Sequence, residues 1–107
     1  LGGQGGRNQE LALAAAIALD DPRWAAVSLA SLGTDGIDGA TEAAGALEDG
    51  GASGTVARAR GMGLDAGAAL AAHDSGRFFA ELGDAIVTGP TGTNVNDLMV
   101  VLVGAGG

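Results

Sequence analysis

The sequence predicts a single α/β domain, a small mixed sheet covered by helices. Three observations predict it. An Ala-rich segment near the start has apolar residues at helical spacing. Short apolar runs at 25–32, 85–88 and 97–103 read as strands. Glycine-rich polar loops separate these segments.

The chain has 107 residues, enough for one modest domain. Residues 1–6 form a glycine-rich, flexible lead-in. Asn8 is placed to cap a helix over 8–20, with Glu10 in its first turn and Leu13 and Ile17 on one face. Pro22 ends the pattern. Residues 25–32 read as a buried strand that stops at Gly33. A polar loop follows, and a short helix is expected over 41–46 before Gly50 and Gly51 break the chain.

A further helix is expected over 53–60, ended by Gly61 and Gly63. Asp65 caps another, to about residue 72. Asp74 or Ser75 caps the last, with Phe78, Phe79 and Leu82 as its apolar face. The runs at 85–88 and 97–103 flank a loop too short for a parallel crossover, so they are expected to be antiparallel neighbours.

Trp24, Phe78 and Phe79 are the whole aromatic content, and Ala is the commonest of the hydrophobic residues that make up 47% of the chain. Such a core depends on close approach of small side chains. Trp24 is expected in the core or at an interface.

The net charge of −8, from 13 acidic residues against five Arg and no Lys, disfavours nucleic-acid binding. Without Lys the chain holds no Walker phosphate loop. Without Cys it holds no disulfide or thiolate metal site. The longest apolar run, 11–19, is about half a membrane span, so no membrane association is expected and the cytoplasm is the default compartment. The chain opens on Leu1 and stops at Gly107 after a strand-like run, and both ends read as cuts in a longer polypeptide.

Three polar clusters interrupt the apolar pattern, each at the end of an element. The first is Gly5-Gly6-Arg7-Asn8-Gln9-Glu10 at a helix amino-terminus, where free N–H groups and the Arg7 guanidinium favour an anion. Plain helix capping explains it equally well.

The second, Gly33-Thr34-Asp35-Gly36-Ile37-Asp38-Gly39, follows a strand's carboxy end, a usual ligand position in α/β sheets. Asp35 and Asp38 can orient Mg²⁺ or a substrate hydroxyl. A solvated Asp-Gly turn is the simpler reading of this loop alone.

The third runs from Thr88 to Asp97. Gly89 and Gly92 admit a ligand close to the backbone, and Thr91, Thr93, Asn94 and Asn96 offer hydroxyl and amide groups suited to a phosphate or hydroxy acid. A self-bonded structural turn is the alternative.

Other candidates carry less chemistry. His73 beside Asp74 reads as a helix end, and Arg58 and Arg60 read as solvated surface. Ser75 has no recognisable general base, and no G-x-S-x-G elbow occurs. Asn8 occupies the third-glycine position of a would-be dinucleotide fingerprint, so a Rossmann site is unsupported.

Taken in order, the stretches 5–13, 33–39 and 87–98, with Phe78-Phe79 after His73-Asp74-Ser75, resemble the MOFRL domain of type II glycerate kinases, a family often labelled hydroxypyruvate reductase. The resemblance covers nearly the whole chain. Ala40 departs from an expected Pro, and Gly76 from an expected Tyr.

The resemblance implies the carboxy-terminal domain, residues 1–107, of a two-domain ATP-dependent glycerate 2-kinase. The full enzyme would phosphorylate the 2-hydroxyl of D-glycerate with ATP and Mg²⁺ in a cleft shared with an amino-terminal domain, and the isolated piece would be inactive. On that implication Arg7 neutralises a carboxylate or phosphoryl oxygen. Asp35 or Asp38 orients the metal or accepts the hydroxyl proton. Gly6, Asn8, Thr34, Gly36, Thr91, Gly92, Thr93, Asn94 and Asn96 line the ligand, and Asp97 is an orienter or a strand cap. Two alternatives stay open: an NAD(P)H-dependent hydroxypyruvate reductase and a non-catalytic binding or assembly domain. A homo-oligomer is compatible with each.

Overall fold

The computed structural model describes residues 5–33, 43–51, 53–88 and 97–104. The first helix, α1, spans Arg7–Ala18, and a 3-10 turn follows at Pro22–Trp24. Strand β1 is Val27–Gly33 and β2 is Gly45–Asp49. Three short helices come next, α2 at Thr55–Gly61, α3 at Ala66–Ala71 and α4 at Ser75–Leu82. Strand β3 is Ala85–Ile86 and β4 is Asp97–Val103.

The α/β class and the helices are as the sequence predicts. The expected cap of α3 is present, and a glycine that the sequence reading did not single out ends α4. The Asp65 side chain accepts the Ala68 N–H at 3.0 Å and caps α3. Gly83, at φ 89°, closes α4 in the left-handed conformation, and its N–H reaches the Phe79 carbonyl at 2.9 Å.

The sheet departs from the expectation in three ways. Its order is β3-β2-β1-β4 and all three pairings are antiparallel, so among the described residues it is antiparallel rather than mixed.

Residues 45–49 are a strand, where a helix was expected to run to 46; residues 41 and 42 of that expected helix lie outside the described residues. Ala, Leu and Glu favour a helix locally, but pairing with β1 overrides that weak preference. Gly45 allows it, because a Cβ there would overlap the Ser31 carbonyl oxygen and sit 2.6 Å from Leu32 Cα.

Finally, β3 and β4 are not neighbours. β3 pairs with β2 and β4 with β1, so they occupy opposite edges. The sequence argument assumed that a short connection joins paired strands. Here β2 and β1 lie between them.

The helices pack on one face of the sheet. Leu29, Ser31, Ala46 and Glu48 point toward them, and Ala12, Leu13, Ala59, Ala66, Phe78 and Phe79 complete the core with Leu29 and Ala46. Phe78 and Phe79 meet edge to face, with ring centroids 5.3 Å apart. Trp24 lies beneath the Arg23 guanidinium on the surface, 37% exposed, rather than in the core.

Candidate functional site

Three element ends meet at one corner of the domain: the amino-terminus of α1, the carboxy end of β1 and the start of β4. Gly33 and Asp97 are register partners. The segments 34–42 and 89–96 therefore join the fold at adjacent points. These are the second and third polar clusters read from the sequence.

The first cluster supplies the beginning of α1. Gly6, not Asn8, is the N-cap, and as a glycine it offers the helix end no capping side chain. Asn8 is instead drawn inward. It is 3% exposed, and its Nδ2 donates to Asp97 Oδ1 at 3.1 Å. Its Oδ1 accepts the Ser31 hydroxyl at 2.7 Å. Ser31, 1% exposed, thus fixes the Asn8 amide from the middle of β1. A tertiary network therefore takes the residue that local propensity would use as a cap, and leaves the helix terminus to its backbone N–H groups.

Asp97 is the hub. Its Oδ2 lies 2.6 Å from Arg7 Nε, and its Oδ1 accepts from Arg7 Nη2 at 3.2 Å as well as from Asn8. The hydrogen bonds from Asn8, then from Arg7, and the Arg7 charge hold its carboxyl below the usual range, against a smaller opposing effect of desolvation. It is ionised at neutral pH. Arg7 itself is largely solvent-exposed, and Asp97 takes two of the five guanidinium donors. The remaining donors are not taken by this pair. The corner presents an oriented cation beside a helix amino-terminus, an arrangement that favours an anion.

Gly5 lets this terminus abut α4, since a Cβ there would overlap the Ser75 hydroxyl and lie 2.9 Å from the Gly76 nitrogen. Glu10 ties α1 to the turn after α3 through His73, whose Nδ1 lies 3.0 Å from Glu10 Oε1. His73, at φ 54°, is the non-glycine residue with positive φ among those described. It directly follows Ala72, the carboxy-terminal cap of α3. Arg58 and Arg60 are engaged in surface ion pairs with Asp84 and Asp20.

Of the expected site residues, the structure places Gly6, Arg7 and Asn8 together at this corner. Thr34, Asp35, Gly36, Asp38, Thr91, Gly92, Thr93, Asn94 and Asn96 lie outside the described residues. Sequence reasoning did not single out Ser31 or Glu48. A Ser on the same strand face as Val27 and Leu29 was the available signal for Ser31. Among the described residues no group of three or more His, Asp or Glu is arranged to hold a metal, and no helix is long and apolar enough to cross a membrane.

The family model described as the MOFRL family matches residues 1–97. D-glycerate 2-kinase of Thermotoga maritima is 50% identical over 101 residues, a match covering 94% of this chain and 23% of that protein. A protein of Agrobacterium vitis that carries the name of a hydroxypyruvate reductase is 47% identical over 104 residues, covering 95% of this chain and 22% of its own length. The crystal structure of glycerate kinase from Thermotoga maritima superposes with a TM-score of 0.83 at 48% identity, over 94% of this chain and 23% of that one. The chain thus spans about a quarter of the length of these relatives. Motif order, fold and extent of match agree, and the chain belongs to the MOFRL family.

Proposed function

We propose that this chain is the carboxy-terminal domain of an ATP-dependent glycerate 2-kinase of the cytoplasm, and that the corner formed by α1, β1 and β4 is one wall of its active-site cleft. The other wall belongs to an amino-terminal domain of the same polypeptide. The full enzyme transfers the γ-phosphoryl group of ATP to the 2-hydroxyl of D-glycerate. The observation that carries this reading is the Arg7–Asp97–Asn8 arrangement at the amino-terminus of α1, next to the attachment points of two loops rich in Thr, Asn and Asp. The names and folds of the relatives support it.

Phosphoryl transfer consists mainly of positioning and charge neutralisation, with little covalent work for the protein. Arg7, held side-on by Asp97, neutralises a glycerate carboxylate or a phosphoryl oxygen. Gly6 and Asn8 line the site of the same anion. Asp35 or Asp38 accepts the hydroxyl proton or orients Mg²⁺, which supplies charge neutralisation on phosphoryl oxygens when bound. One or two carboxylates completed by substrate oxygens are an ordinary Mg²⁺ donor set, so this pair suits the ion without a further acidic cluster. Thr34, Gly36, Thr91, Gly92, Thr93, Asn94 and Asn96 hydrogen-bond the substrate or nucleotide from the two loops.

A reductase is the second reading, favoured by the name of the Agrobacterium vitis relative. Full-length protein incubated with D-glycerate, ATP and Mg²⁺, and separately with hydroxypyruvate and NADH, distinguishes the two. The kinase reading expects ADP formation that depends on glycerate, reduced at least ~100-fold by Asp35→Asn. NADH oxidation without ADP formation overturns it.

A further inference from the structure

Strand β4 lies at an edge of the sheet among the described residues, yet its composition is that of an interior strand. Edge strands that face water usually carry charges, Pro or bulges that discourage pairing. Residues 98–103, Leu-Met-Val-Val-Leu-Val, carry none of these. Their exposures are 48, 55, 39, 49, 64 and 72% in chain order.

Both faces of the strand are apolar. Met99, Val101 and Val103 share the face of Ser31 and Leu29, toward the helices, while Leu98, Val100 and Leu102 share the open face. A strand covered on one face alternates apolar with polar, whereas a continuous apolar run belongs to a strand buried on both. The open face extends the patch. Leu47, 50% exposed, lines up with Ala30 and Val100 across three strands.

We infer that β4 is an interior strand of a larger sheet in the full-length protein, and that its outer edge pairs with a strand from the part of the polypeptide outside these 107 residues. The relatives are some four times longer than this chain, so a domain-sized partner is available in the same molecule. A second copy fits less well. Edge-to-edge pairing of two β4 strands would satisfy the outer N–H and C=O groups but leave Leu98, Val100, Leu102 and Leu47 on an uncovered sheet face. A neighbouring domain supplies both a pairing strand and a covering layer. The inference rests on the chain being part of a longer polypeptide, and not on which reaction that polypeptide performs.

Residue-resolved hydrogen exchange on the full-length protein tests this. In an edge strand every other amide points outward and exchanges readily, while its neighbours bond to β1. The expected result is protection of all the amides of 98–103, with the outward-pointing ones at least ~100-fold slower than unstructured amides and independent of protein concentration. Rapid exchange at alternate positions overturns the inference. So does protection that appears only as concentration rises, in step with a dimer in sedimentation, because the occupant is then a second copy. Glycerate-dependent ADP formation, measured on the same preparation, reports on the kinase reading separately. Turnover with alternating exchange removes the interface alone, and full protection without turnover removes the kinase alone.

Discussion

Arg7 and Asp97 lie 90 positions apart in sequence and form one ion-paired unit at the corner of the sheet. Asp97 receives Arg7 and Asn8 together, so Asp97→Asn removes the charge while keeping the shape. Its expected effect is a raised KM for the anionic substrate and a roughly 10- to 100-fold loss of kcat/KM in the full-length enzyme, with α1 still folded by circular dichroism. Because the Asp97 carboxyl titrates below its usual value, the stabilisation it gives is present above the unfolded pKa and fades as pH falls through the lower folded one.

Glu48 behaves in the opposite sense. It is 1% exposed on the helix side of β2, and neither carboxylate oxygen has a hydrogen-bond partner among the described residues. Desolvation, and then the neighbouring Asp49 charge, push its pKa up to about 7. The folded state holds the proton that the unfolded state releases near 4.5, so stability is greatest below pH 4.5 on this account and declines as pH rises to about 7. The decline amounts to about 3 kcal/mol. Denaturant midpoints measured at pH 5 and pH 8 check it, and Glu48→Gln is expected to remove most of the difference.

Among the elements, helices were readable from the sequence and strand partners were not. The Ala-rich run of α1 and the Asp65 cap of α3 are local signals, and they act locally in the structure. β2 has no such signal. Its Ala-Leu-Glu composition reads as helix, and its conformation depends on Ser31 and Leu32 of β1, 14 and 13 residues before Gly45. The capping role expected of Asn8 failed for the same reason, since Ser31 and Asp97 lie far from it in the chain. The corner's composition was therefore legible, while its internal wiring needed the sheet register.

Two substitutions separate these cases. Asp65→Ala should cost about 1 kcal/mol, the usual loss of a cap. Gly45→Ala should cost more, at least 1–3 kcal/mol, because its Cβ meets the β1 backbone rather than a movable side chain. Urea unfolding of both variants measures the ordering.

Among the described residues, one helix-covered sheet face forms the core and the other, with β4 at its edge, exposes Leu47, Leu98, Val100 and Leu102. The functional corner sits at the β1–β4 junction, where Gly33 faces Asp97. The two features adjoin, so a neighbouring domain docked along β4 would bring its own residues to Arg7. In the proposed kinase such docking would form the cleft between domains, and the contact that completes the site would also exclude water.

A double-mutant cycle of Arg7→Ala and Asp97→Ala in the full-length enzyme, read as kcat/KM with D-glycerate and ATP, tests the central claim most directly. If Asp97 acts by holding Arg7 against the anion, each single variant loses activity and the double variant is little worse than Arg7→Ala alone. Losses that simply multiply, or wild-type turnover in both single variants, would contradict it.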